Sequence, residues 1–254
     1  GRNFDDLLER LSERVHAGPK GRLRLTASLR QLDVTVPSLK KAGLDILDVG
    51  AGLGQVALAF AARGHSVTAL DISRRMVDHI AATAHTEGLS LRCLHGSLQS
   101  RHAELSGDGR GYDVVCCHAA LEWMRDPENC VALLRDLVAP GGALSLLFYN
   151  HAALVHRNLL RGNFNRARSP VRAGTDGGLT PSHPFDLQTV ADWLDAAGFE
   201  RKSWFGVRAI LDFLPPALVE ERGVASIAEL EHWLEAREPH WRLSRYLHVI
   251  ARRR

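Results

Sequence analysis

Hydrophobic residues recur along this chain in two rhythms, short apolar runs of strand length and longer stretches with helical spacing. Phe4, Leu7, Leu8, Leu11 and Val15 stand at i, i+3, i+4 and i+7, which predicts an amphipathic helix that ends before Gly18-Pro19. That helix precedes the first strand, so it must pack on a sheet edge or lie across the ligand crevice as a lid. Leu44 to Val49 is an apolar run that opens into Gly50-Ala51-Gly52-Leu53-Gly54, and Gln55 to Arg63 continues as an alanine-rich helix. Strand 65–70 ending in Asp71, helix 74–87, strand 89–95, strand 112–117, helix 127–138 and strand 143–149 follow. Repeated alternation of strand and helix implies parallel strands joined by right-handed crossovers, hence an α/β doubly wound, Rossmann-like sheet.

The alternation breaks after Asn150, where about 35 residues of mixed, arginine-rich sequence intervene before a helix from Leu187 to Ala197. An insertion there sits at the carboxyl end of the fifth strand, on the ligand face. Ser203 to Phe213 then reads as a sixth strand, Ile227 to Ala236 as a helix and Tyr246 to Arg252 as a final strand. The expected organisation is an N-terminal helical lid segment at 1–43 and one Rossmann-like domain at 44–254 that carries a basic insertion at 151–185.

Composition narrows the class. The 254 residues are 45% hydrophobic and 24% charged, the make-up of a soluble globular protein. No apolar run approaches the roughly 20 residues that cross a bilayer, and the N-terminus lacks a secretory pattern, so a cytoplasmic protein with no membrane partner is expected. Cys93, Cys116, Cys117 and Cys130 form no C-x-x-C pair and read as reduced, buried thiols. Thirteen histidines show no metal-ligand spacing, so no metal is expected. The net charge of +3 is modest but unevenly placed: Arg157, Arg161, Arg166, Arg168 and Arg172 lie in a stretch from His151 to Arg172 without a carboxylate.

The chemistry points to Asp48-Val49-Gly50-Ala51-Gly52-Leu53-Gly54. Its glycines let the backbone turn sharply and approach a ligand with no Cβ in the way. Asp71, at the end of the next strand, stands where a carboxylate can accept both hydroxyls of a ribose. Dinucleotide enzymes use G-x-G-x-x-G; here the glycines alternate and an acid stands two residues before the first. That acid favours a sulfonium cofactor, S-adenosylmethionine, whose cationic amino-acid end a carboxylate attracts directly or through water.

Gly96-Ser97-Leu98 after strand three and Val138-Ala139-Pro140-Gly141-Gly142-Ala143-Leu144 before strand five complete a resemblance to the class I S-adenosylmethionine-dependent methyltransferases, which implies a seven-stranded sheet with a reversed terminal hairpin. Outside the core, Arg2-Asn3-Phe4-Asp5-Asp6, Lys20-Gly21-Arg22-Leu23-Arg24, His118-Ala119-Ala120-Leu121-Glu122-Trp123, Phe148-Tyr149-Asn150, Gly162-Asn163-Phe164, Gly206-Val207-Arg208 and Arg245-Tyr246-Leu247-His248-Val249 are similar to bacterial tRNA methyltransferases that esterify uridine-5-oxyacetic acid at the anticodon wobble position. The resemblance implies that Arg24 reaches the methionine carboxylate, that Gly50, Ala51 and Gly52 line the cofactor, and that Asp71 holds its ribose. It further places Ser97 and Leu98 on the adenine and His118 at the strand-four end of the pocket. Arg24 could equally be a solvated cation, His118 a packed strand-end residue and Asp48 a brace for the turn.

A carboxylate acceptor is ionised at neutral pH and needs no general base. It does need a cation or hydrogen-bond donor that orients it, and Tyr149, Asn150, His151 and Arg208 are the candidates, with Arg208 equally placed for a structural ion pair. The arginine stretch would meet the phosphates of a tRNA anticodon stem-loop, and Phe164 would stack on an unpaired base or anchor the insertion. Rival readings are a small-molecule carboxyl or O-methyltransferase, a non-catalytic binding protein on the same fold, and a nicotinamide oxidoreductase.

Overall fold

The computed structural model describes residues 18–107, 109–168, 181 and 184–254. The helix expected from Phe4 to Val15 and Arg172 both lie outside the described residues. Seven strands form one sheet: β1 (Asp45–Val49), β2 (Ser66–Asp71), β3 (Arg92–His95), β4 (Tyr112–His118), β5 (Val138–Tyr149), β6 (Phe199–Val207) and β7 (Tyr246–Arg253). Their spatial order is β3-β2-β1-β4-β5-β7-β6, and only β7 runs antiparallel to its neighbours. The chain leaves β1 towards β3 on one side and resumes with β4 on the other. That reversal opens a crevice beyond the carboxyl ends of β1 and β4, where ligands bind in open α/β sheets.

Side-chain alternation along each strand fills two layers. Leu47, Val49, Val115 and Cys117 face one, under α4 (Leu98–Ser106), α5 (Pro127–Leu137) and α8 (Leu187–Ala196). Ile46, Val67, Val114 and Cys116 face the other, under α1 (Pro19–Thr35), α2 (Gln55–Ala61) and α3 (Arg74–Thr86). Cys116 and Cys117 are therefore adjacent in sequence and buried on opposite faces of the sheet, and all four cysteines are free.

Several elements differ from expectation. Gly18-Pro19 starts a helix that was not expected, because Pro19 sits at the first helical turn, where its missing N–H costs nothing. α1 packs Leu32 into the core beside Phe60 of α2, so the described part of the N-terminal segment covers the sheet. β5 begins at Val138, five residues ahead of the expected Ala143, paired with Tyr112. α4 begins on a reciprocal cap between Ser97 and Ser100. The described part of the insertion includes two helices, α6 (His151–Leu160) and α7 (Phe164–Arg168), and α9 (Pro216–Arg222) and α10 (Val224–Leu234) lie between β6 and β7.

The sixth strand stops at Val207 and does not run on to Phe213. Arg208 takes a left-handed backbone with φ of 63°, and the next three N–H groups leave the ladder to meet one buried carboxylate. Glu231 of α10 accepts from Ala209 N–H, from Ile210 N–H at 3.0 Å and from Leu211 N–H at 2.8 Å. Removing that acceptor strands three donors, two of them buried. Glu231→Ala is expected to lower unfolding stability by about 3 kcal/mol in a urea titration, whereas Glu229→Ala, on an exposed position of the same helix, stays within about 0.5 kcal/mol of the parent.

Candidate active site

The glycine turn is fixed from β2. Gly50 and Ala51 both donate their N–H to the Leu70 carbonyl, at 2.8 and 3.0 Å. Gly52 N–H donates to Asp71 Oδ2 at 2.8 Å, while Asp71 Oδ1 accepts from Ser73 N–H at 2.8 Å. Gly50 has φ of 70°, and a Cβ there would stand 2.4 Å from the Ala120 Cβ, so close approach to the β4 loop requires glycine. Gly52 has φ of 56°, and a Cβ on it would project into open space.

That space is a cavity of about 600 Å³ at the sheet's reversal, within the range of small-molecule sites. Arg24, Asp48, Gly50, Ala51, Gly52, Asp71, Ser97, Leu98 and His118 all line it, so the structure gathers every residue expected around the cofactor. Asp71 serves as a brace for the turn as well as a wall of the cavity. A carboxylate offers about four lone-pair positions, so holding two backbone N–H groups is compatible with accepting ribose hydroxyls.

Burial shapes the charges here. Desolvation raises the Asp48 carboxyl to about 7, against a backbone hydrogen bond that lowers it and with Asp71 adding repulsion; its Oδ2 is buried without a hydrogen-bond partner. Sequence reasoning assigned no role to Glu122, which also lines the cavity and is raised to about 7 by burial. Its Oε1 accepts the Tyr149 N–H at 3.2 Å and its Oε2 has no partner. The signal was present as an acid set among apolar residues, Leu121 and Trp123, just after the fourth strand.

His118 is lowered to about 3, first by burial and then by Arg24, so it is neutral. Its tautomer follows from a buried thread. Gln31 Nε2 donates to Glu235 Oε2 at 2.7 Å and to the Gly206 carbonyl at 3.3 Å, which turns Gln31 Oε1 towards His248 Nδ1 at 2.7 Å. His248 must donate there, and burial with neighbouring His118 keeps it neutral, so its Nε2 accepts from the Ser145 hydroxyl at 2.8 Å. The Ser145 oxygen then accepts from His118 Nε2 at 2.7 Å, leaving His118 Nδ1 as the acceptor nitrogen.

The acceptor-side candidates separate. Tyr149 lines the cavity, and burial raises its hydroxyl. Asn150 does not reach the cavity: its amide donates to the carbonyls of Arg242 and Ser244, at 2.8 and 2.9 Å, and its oxygen caps α6 at Ala152 N–H. It is a buried splice between β5 and the C-terminal hairpin, which corrects its assignment to the acceptor. His151 is paired with Asp186 at 2.9 Å on the outside. Arg208 lies behind the cavity, paired with Asp212, which is the structural ion pair.

Comparison with known proteins decides the family. A family model described as a methyltransferase domain matches residues 4–202. The tRNA 5-carboxymethoxyuridine methyltransferase of Escherichia coli K12 is 34% identical over 99% of this chain and 96% of its own. The ubiquinone biosynthesis O-methyltransferase of Aromatoleum aromaticum is 33% identical, over only 40% of this chain and 42% of its own. Among solved structures, the magnesium protoporphyrin IX methyltransferase of Synechocystis with bound S-adenosylhomocysteine superposes with a TM-score of 0.64, 15% identity, and coverage of 99% and 96%. The [4+2]-cyclase SpnF superposes equally well at 20% identity, with coverage of 98% and 93%, so the fold alone does not name the reaction.

This chain belongs to the S-adenosylmethionine-dependent methyltransferases. The residues fit that cofactor: the unpartnered oxygen of Asp48 lies at the turn, Gly52 leaves its Cβ position open, and Arg24 borders the same cavity. Asp71→Ala is expected to weaken cofactor affinity by about tenfold or more by calorimetry. Binding a cation favours ionised Asp48, whose carboxyl otherwise releases its proton only at about 7. Affinity should therefore rise as pH climbs to about 7 and level off above it, and Asp48→Asn should remove that component of the slope.

Proposed function

We propose that this methyltransferase esterifies the carboxylate of 5-carboxymethoxyuridine at the wobble position of tRNA. The observation that carries the reading is the end-to-end match to the E. coli tRNA enzyme, 99% of this chain against 96% of the relative, which takes in the insertion and terminal hairpin as well as the sheet. The O-methyltransferase match covers 40% of the chain, the share expected of a common cofactor fold. A reaction on tRNA also agrees with a cytoplasmic protein; no described helix is long and apolar enough to cross a membrane.

Bound S-adenosylmethionine supplies an electrophilic methyl on a sulfonium. The chain's task is then to orient a nucleophile in line with it. In this reading Arg24 meets the methionine carboxylate, Asp48 the amino group, Gly50 to Gly52 the backbone approach, Asp71 the ribose, Ser97 and Leu98 the adenine, and neutral His118 the wall of the pocket. A carboxylate nucleophile carries no proton to remove, so the neutral state of His118 and the raised carboxyl of Glu122 do not obstruct it. Tyr149, at the cavity's edge on β5, offers a hydroxyl to orient the acceptor.

Arg161, Arg166 and Arg168 are exposed around α7, together with Leu160 and Phe164, which is 61% exposed. An apolar ring among cations suits an RNA loop with unstacked bases. Arg157 differs: it is half-buried and turned towards Tyr149 and Arg245, so it does not join the outward phosphate-facing set. Label from methyl-labelled cofactor should enter total tRNA of a strain lacking the gene as an alkali-labile ester; label held on a base carbon or nitrogen refutes the reading. Arg161→Glu with Arg166→Glu should weaken tRNA binding by about tenfold or more with cofactor affinity intact, measured by filter binding and calorimetry.

A further inference from the structure

Behind the acceptor end of the cavity lies an arginine cluster of which the cofactor accounts for Arg24 alone. The guanidinium carbons of Arg24, Arg208 and Arg245 stand 5.7, 5.7 and 5.9 Å from the centre of one ring, that of Tyr246. Arg245 also lies 4.9 Å from the centre of the Tyr149 ring, and Tyr149 and Tyr246 pack edge to face at 5.6 Å with both lining the cavity. Arg157 of α6 faces the same group from the insertion.

Among the described residues, one acid is shared here by three cations. Asp212 pairs with Arg208, with Lys20 at 3.2 Å and with Arg245 at 3.5 Å. Burial works against its ionisation, but Arg208 and Arg245 outweigh that and hold its carboxyl below the usual range. The other nearby acids are Glu231, which is engaged by three backbone N–H groups, and Glu122, raised to about 7. Among the described residues, Asp212 is thus the one carboxylate ion-paired with Arg208, Arg245 and Lys20. Among the described residues, Arg157, Arg208 and Arg245 each hold a buried Nε–H, and Asp212 a buried Oδ2, without a hydrogen-bond partner, so pairing within the cluster is incomplete. The same charges act on Tyr246: burial would raise its hydroxyl, and Arg245, Arg24 and Arg208 together reverse the shift. A phenol under that field is a strong hydrogen-bond donor to an anion.

We propose that Tyr246 and Tyr149 are the groups that seat the acceptor's carboxylate, and that Arg245 is the positioning residue behind them that makes the seat selective for a negative charge. Asp212 keeps the guanidiniums apart and oriented while the seat is empty. Arg157 links this interior seat to the exposed arginines of the insertion, so one continuous basic track runs from the RNA surface to the reacting group. The inference rests on the proposed tRNA carboxylate reaction and adds the residues that recognise its charge.

The experiment compares two tRNAs that differ only at the wobble uridine, one bearing the oxyacetate group and one unmodified, by filter binding in the presence of S-adenosylhomocysteine. Wild-type protein is expected to bind the charged tRNA at least about tenfold more tightly. Arg245→Gln and Tyr246→Phe should each erase most of that preference, leave binding of the unmodified tRNA and of the cofactor unchanged, and raise KM for the charged tRNA; Arg245→Lys should restore part of the preference. Tyr246→Phe removes one hydroxyl, so it remains informative if Arg245→Gln fails to fold. Retention of the wild-type preference by both variants, or equal loss of both tRNAs, overturns the proposal while leaving the functional reading in place. Wild-type protein that transfers no methyl to the charged tRNA overturns both.

Discussion

The site depends on one carboxylate. Asp71 ends β2, accepts the Gly52 N–H with one oxygen and the Ser73 N–H with the other, and so ties the glycine turn, the second strand and the start of α3 into one rigid corner. A turn with left-handed glycines at 50, 52 and 54 has the greatest conformational freedom to lose on ordering. Charge-assisted bonds from a buried acid offset that cost and leave the cleft preorganised before any ligand arrives. Residues on β3, β4 and β5 can meet around the cavity because this corner sets where its floor lies.

The cavity is electrically divided. Asp48 and Asp71 gather acid at the end near the glycine turn, whereas Tyr149 and Tyr246 lead to guanidiniums. A donor that is cationic at its amino and sulfonium groups suits the first end, and an anionic acceptor suits the second. Attraction between the two reactants is thereby matched by the walls that receive them, which favours their approach over that of a neutral acceptor.

Much of this was legible in the chain. The strand, turn and helix around Asp48 to Gly54, the acid at Asp71 and the alternation up to Tyr149 carry local signals, because parallel strands buried on both faces are continuous apolar runs. What stayed hidden depends on distant partners. Nothing near Arg208 announces that β6 stops there; the cause is Glu231, more than twenty residues on. Asn150 looked available to substrate because its partners, the carbonyls of Arg242 and Ser244, lie over ninety positions away. α1 was masked by Gly18-Pro19, a pair that reads as a terminator as readily as a start. Tyr149 was named from the sequence, but Tyr246 and Arg245 sit at what reads simply as the last strand, and only folding brings Arg24 and Arg208 to the same ring.

The thread from His118 through Ser145 and His248 to Gln31 and Glu235 is polar throughout and runs in a single sense, each link donating in turn once Gln31 is oriented. Its His248 to Gln31 step joins residues 217 positions apart, so helix and strand from opposite termini share one line of hydrogens. Flipping either imidazole alone would set two donors or two lone pairs face to face, and the Gly206 carbonyl, which can only accept, holds the row in this one sense. The orientation of a ring in the cleft is in this way dictated from α1, through the single side-chain amide of Gln31.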